Sequence, residues 1–178
     1  MKTLEEKRTL SKWFEAKSNW FVLFVQTYEE RRVAERLQGK LDNDKCVAFV
    51  SMRDRTYTQK DKTVPIKRVP LFGGYVFIAT TEPETECLKR IVPIVQFDKT
   101  IYKVLRNDGK GETAKLSDRD KAVMTALLNE DFNIPALEAV DIGDRIEVLA
   151  GALEGIGGVV KSVDRRRHTA IVNLKLMG

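Results

Sequence analysis

The sequence predicts an α+β chain: a sheet-and-helix domain followed by a small β-barrel. Three observations carry this. From Asn19 to about Glu130, apolar runs of strand length alternate with amphipathic helical stretches. From Val140 to Gly178 the pattern changes to short β-rich runs joined by glycines. Between the two, residues 131–139 contain Pro135 and no clear period, as an interdomain linker does. The 178 residues therefore divide into an amino-terminal extension (1–18), a larger domain (19–130), a linker (131–139) and a terminal domain (140–178).

Trp20–Gln26 is a continuous apolar run rich in aromatics and valine, suited to a buried central strand. Thr27-Tyr28-Glu29-Glu30 has the spacing of a capping box, and the helix it opens carries Val33, Leu37 and Leu41 on one face. Gly39 weakens the end of that helix. Cys46–Val50 and Tyr75–Thr80 read as strands, with the basic, polar segment Ser51–Val69 between them as an extended hairpin or mobile loop. Thr81-Glu82-Pro83-Glu84 repeats the capping pattern with proline in the first turn. Cys87, Leu88, Ile91 and Val92 supply the apolar side, and Pro93 is expected to stop the helix. Thr100–Leu105 is a further strand and Asn107-Asp108-Gly109 a turn. Ser117-x-x-Asp120 opens a last helix whose expected buried side includes Val123, Ala126 and Leu127. Such an order gives a small, mostly antiparallel sheet with helices against it. In the terminal domain, Arg145–Ala150, Gly157–Val163 and His168–Leu174 are the strands, with glycines at 143, 151, 155, 157 and 158 for tight corners.

Composition narrows the function. A hydrophobic share of 43% permits a packed core, and no run of about 18 apolar residues occurs, so no membrane span is expected. The charged amino terminus lacks the apolar centre of a secretory signal, which points to the cytoplasm. Cys46 and Cys87 lie in apolar surroundings without metal-site spacing and read as buried, reduced thiols. His168 is the single histidine, Gly155-x-Gly157 lacks the third glycine of a dinucleotide fingerprint, and no GK[ST] loop appears. No catalytic residue, metal or cofactor is therefore expected. The net charge of +5 is concentrated in two places. Residues 53–68 hold six basic side chains against two acidic ones, and residues 161–178 hold five against one. The second cluster, with Arg145 nearby in sequence, marks Arg145, Lys161, Arg165, Arg166, Arg167, His168 and Lys175 as candidate RNA-binding residues.

The segment Gly143–Val148, with Gly151, Glu154-Gly155, Gly157 and the strand Val159–Val163, resembles the KOW motif of SH3-like barrels in NusG-type transcription factors and some ribosomal proteins. WFVLFV followed by YEERRVAERLQ is similar to the first strand and helix of the NusG amino-terminal domain. Pro70–Ile78 is similar to that family's Phe-Pro-Gly-Tyr-Val segment, with Gly73 where the family usually has proline. The resemblance implies a NusG-type α/β sandwich joined to a KOW barrel, acting as a monomeric bacterial elongation factor. Leu71, Phe72 and Tyr75 would then help form a hydrophobic depression that grips the clamp helices of RNA polymerase. The alternative for Phe72 and Tyr75 is an ordinary place in the core. GALEGIGGVVKSVDRRRHTAIVNLKLMG is closest to the LoaP-type antiterminators, which implies recruitment through a hairpin in nascent RNA. Two further readings stay open: a general NusG whose barrel docks on termination factor Rho or a ribosomal protein, and a ribosome-associated structural protein.

Overall fold

Trp13, Trp20 and Phe77 are fully buried on one face of a sheet whose opposite face buries Phe21, Leu23 and Ile78. The computed structural model describes residues 12–15, 17–56, 66–106 and 113–135, and the backbone of 138–142, 145–150, 160–164 and 169–172. The elements in chain order are β1 (Asn19–Val25), α1 (Glu30–Gln38), β2 (Cys46–Phe49), β3 (Met52–Thr56), β4 (Ile66–Pro70), β5 (Tyr75–Thr80), α2 (Glu84–Phe97), β6 (Ile101–Val104), α3 (Asp118–Leu127) and β7 (Asn133–Ile134). They are followed by β8 (Glu138–Ile142), β9 (Arg145–Ala150), β10 (Val160–Asp164) and β11 (Thr169–Val172).

The main sheet has four antiparallel strands in the order β2-β5-β1-β6, with Trp20 opposite Ala79 and Phe24 opposite Tyr75. β1 is internal, as its unbroken apolar run requires. Phe21, Leu23 and Val25 join Val33, Leu37, Cys87 and Ile91 in one core layer, while Trp20 and Val22 join Trp13, Phe49 and Met124 in the other. A strand covered on both faces has no polar alternation to show. The basic segment forms the antiparallel β3–β4 hairpin, and β7 adds to it in parallel through Met52↔Asn133 and Arg53↔Ile134.

Several local expectations are corrected. The box at Thr27–Glu30 does not cap α1, whose N-cap is Glu29 with no side-chain bond. The Glu30 carboxylate instead accepts the Gly74 N–H at 2.6 Å, a partner far away in sequence. Pro83 is the N-cap of α2, not a first-turn residue, and Glu84 reaches the Ala114 N–H at 2.7 Å and the Thr113 hydroxyl at 2.9 Å. The helix also runs through Pro93 to Phe97. Lys89, whose carbonyl loses its helical donor, and Pro93 are both exposed, so water can serve that carbonyl. Beyond the proline, Ile94 and Val95 pack on the core and hold the last turn in place against a penalty of about 3 kcal/mol. Val92 is exposed, at 41%, rather than buried on the apolar side.

Ser117 does cap α3, accepting the Asp120 N–H at 3.0 Å. The buried side of that helix is Met124 and Leu127 with Asp120 and Lys121; Val123 is half-buried and Ala126 exposed. The rotation follows from Lys121, whose ammonium donates to the carbonyls of Glu15 and Ser18. Desolvation lowers its pKa, and charge-assisted bonds to backbone carbonyls hold it there. Trp13, in the expected extension, is buried and its carbonyl accepts the Trp20 indole N–H at 2.8 Å. The expected linker likewise begins inside the packed domain. Phe132 stacks on Phe49 with ring centroids 3.7 Å apart, and Asn133 is fully buried.

Beyond residue 135, β8 pairs antiparallel with β9, from Glu138↔Ala150 to Ile142↔Arg145, and β10 with β11, from Val160↔Val172 to Asp164↔Thr169. Among the described residues no ladder joins the two hairpins. The expected turn at 107–109, the glycines at 143, 151, 155, 157 and 158, residues Arg165 to His168, and Lys175 lie outside the described residues. Among the described residues no helix is long and apolar enough to cross a membrane.

Candidate functional site

Aromatic side chains from three adjacent strands meet in a row near one end of the main sheet. Phe24 of β1 lies between Tyr75 of β5, at a centroid distance of 5.6 Å, and Tyr102 of β6, at 5.1 Å. Phe24 occupies the face of β1 that also carries Trp20 and Val22, so the row continues the second core layer towards solvent. Phe24 and Tyr75 are half-buried and Tyr102 is 54% exposed. Leu71 and Phe72 extend the apolar surface, both half-buried on the same layer, with Phe72 at 6.4 Å from Phe77. The sequence left Phe72 and Tyr75 between core and surface, and their geometry is intermediate: one side of each packs, the other meets solvent.

The turn that presents Phe72 and Tyr75 is held on several sides. Gly74 has φ +81°, and a Cβ there would meet the Phe24 ring and the Val25 carbonyl at 3.4 Å. Only glycine combines that backbone with that closeness. The Gly74 carbonyl accepts the Val25 N–H at 2.8 Å, its N–H is taken by Glu30, and the Leu71 N–H goes to Ser51 O at 2.8 Å. Gly73 is different: a Cβ there would make only ordinary contacts at 3.9 Å, with Glu30 and Thr27. No crowding demands glycine at the position where the family usually has proline.

Sequence reasoning named Leu71, Phe72 and Tyr75 and missed Phe24 and Tyr102. Both are strand aromatics, and the signal lay in pairing: Phe24 is opposite Tyr75 and next to the β6 register. Lys103, also opposite Phe24, is exposed at the rim and adds positive charge there.

A second surface lies on the β3–β4 hairpin. The register places Arg53, Arg55, Lys67 and Val69 on one face, the three basic residues all exposed, while Arg68 on the other face pairs with Asp54 at 3.3 Å. A shallow groove of about 450 Å³ runs between this hairpin and α1, lined by Arg31, Glu35, Gln38, Met52 and Arg68 among others. Gln38 occupies the outer edge of β2: its amide accepts the Ala48 N–H at 2.7 Å and donates towards the Cys46 carbonyl at 3.3 Å. That protects a strand edge which would otherwise invite pairing. Cys46 and Cys87 are free and fully buried; the hydrogen bond to Cys46, together with burial, pushes the Cys87 thiol well up. Among the described residues no group of three His, Cys, Asp or Glu side chains could hold a metal ion. Of the RNA-binding candidates, Arg145 and Lys161 fall on the backbone of β9 and β10, and the others lie outside the described residues.

Residues 18–125, covering β1 to most of α3, match the family described as transcription termination factor nusG. The chain belongs to the NusG family. No curated protein matches the chain. NusG family members are non-enzymatic transcription factors that interact with RNA polymerase. The NusG match includes the Gly74 turn and all five residues of the aromatic surface, but stops short of Phe132 and begins after Trp13.

Proposed function

We propose that this chain is a cytoplasmic, monomeric elongation factor and processive antiterminator of the LoaP type. Its NusG domain binds the clamp helices of RNA polymerase, and a carboxy-terminal KOW barrel at 140–178 binds a hairpin in nascent leader RNA. The observation that carries the first part is the half-exposed row Tyr75–Phe24–Tyr102, with Leu71 and Phe72 beside it, inside the NusG match. Aromatic residues that are packed on one side and open on the other make effective anchors for a partner helix. The RNA part rests on the cluster of Lys161, Arg165, Arg166, Arg167, His168 and Lys175, with Arg145. Arginine can bridge phosphates or pair bidentately with a guanine edge.

A binding titration against purified core RNA polymerase tests the first part. Tyr75→Ala with Tyr102→Ala should weaken binding by about tenfold or more while the circular dichroism spectrum is kept. Undiminished binding by the folded double variant overturns that assignment. For the second part, replacing Arg165, Arg166 and Arg167 by Ala should lower affinity for the leader hairpin and flatten its salt dependence, because fewer counterions are released. An unchanged affinity and salt slope returns the barrel to a protein-docking role.

A further inference from the structure

Two non-glycine residues have left-handed backbones among the described residues, and both are aromatic: Phe132 at φ +54° and Tyr28 at φ +72°. They differ in what offsets the strain. Phe132 is buried in the second core layer, stacks on Phe49 and Phe14, and its carbonyl accepts the Met52 N–H at 2.8 Å. Tyr28 is 94% exposed, and its side chain makes no hydrogen bond or ring contact among the described residues. A bulky side chain in this region is costly, and glycine or asparagine would be the usual occupant. The fold gains nothing visible from the Tyr28 ring, and strain without a packing return is the mark of a residue kept for contact.

The position of Tyr28 indicates which contact. The preceding Thr27 touches the turn that carries Phe72 and Tyr75: its hydroxyl and methyl lie 3.5 and 3.9 Å from the Cβ positions of Gly74 and Gly73. Two residues on, Glu30 holds the Gly74 N–H. Two residues back, the Gln26 N–H donates to the Thr100 carbonyl at 2.8 Å, beside the strand that carries Tyr102. Tyr28 thus sits on a turn whose neighbouring residues touch both segments that supply the aromatic row. We infer that Tyr28 is a further docking residue for RNA polymerase, an exposed aromatic at the rim of the Tyr75–Phe24–Tyr102 surface. The inference rests on the polymerase reading of that surface and adds to it a residue that the fold itself does not need.

A contact role and a structural role predict opposite signs for stability. Tyr28→Gly and Tyr28→Asn relieve the backbone strain, so both should unfold at the same temperature as the natural chain or higher, while binding core polymerase about fivefold or more weakly. Tyr28→Phe keeps the ring and should keep most of the affinity. Tyr102→Ala serves as the reference in the same titration. If the natural chain binds, Tyr102→Ala weakens it and Tyr28→Gly and Tyr28→Asn bind as the natural chain does, the Tyr28 inference falls and the surface stands. If both Tyr28 variants lose stability together with binding, the ring supports the fold and the inference falls as well. If the natural chain does not bind polymerase, both readings fall.

Discussion

Replacing Glu30 tests how the aromatic surface is built. Its carboxylate is buried, 4% exposed, and takes the Gly74 N–H at 2.6 Å, tying the first turn of α1 to the turn between Phe72 and Tyr75. A hydrogen bond with a charged partner is worth about 1.5–3 kcal/mol, and its loss leaves a buried N–H unpaired. Glu30 also stands in the first turn of α1, where an acidic side chain adds about 0.3–1 kcal/mol through the helix dipole. Glu30→Ala should therefore cost about 2–4 kcal/mol. Glu30→Gln keeps an acceptor and loses the charge, and should cost about half as much. Urea unfolding at unchanged slope measures this, because about 2 kcal/mol at a typical slope moves the midpoint by roughly 1 M. Amide exchange at Gly74 should accelerate in the same variant. An alanine variant with the natural midpoint and a protected Gly74 amide would refute the reasoning, since the turn would then be held by its other contacts alone.

Phe132→Ala should destabilise the larger domain by about 3 kcal/mol or more, because it empties a site between Phe14 and Phe49; a thermal midpoint unchanged from the natural chain would return residues 131–134 to the linker. Asp98 supplies a pH test. Burial alone would raise its carboxyl, but the hydroxyl and amide of Thr100 and the Arg36 guanidinium together hold it below its ordinary 3.8. A depressed carboxylate contributes stability above its unfolded value, and that contribution is lost as the pH falls through the lowered folded value. Asp98→Asn should therefore be less stable than the natural chain at neutral pH, with the gap closing in strong acid; a gap that is constant across pH would contradict the assignment.

The match between sequence and structure is closest where the physics is local. β5 was legible as Tyr75–Thr80 and β1 to within a residue, because continuous apolar runs report burial directly; the helical stripe located α1 but carried it on to Leu41, beyond its last residue Gln38. Ser117 was legible as a cap because its hydroxyl finds its partner three residues away. Thr27–Glu30 has the same spacing and does something else, because Glu30 is recruited by Gly74 across the fold. Pro93 was expected to end a helix that continues, since the rule takes the missing hydrogen bond as unanswered. Lys89 and Pro93 are exposed, where water can serve the freed carbonyl, and Ile94 and Val95 pack on the core beyond the proline.

By itself, then, the sequence determined the α+β class of the larger domain and the order of its helices and main-sheet strands, and it named the segment Leu71–Tyr75 as an expected place of contact. Each is written in side-chain periodicity, turn residues or a contiguous motif. Only the tertiary structure decided that Phe24 and Tyr102 join that segment, that Trp13 and Phe132 belong to the core, and that Tyr28 is strained without being packed. Those facts depend on strand register, on pairings between residues far apart in sequence, and on which side of each ring meets water. Such distances become defined only when the chain has folded.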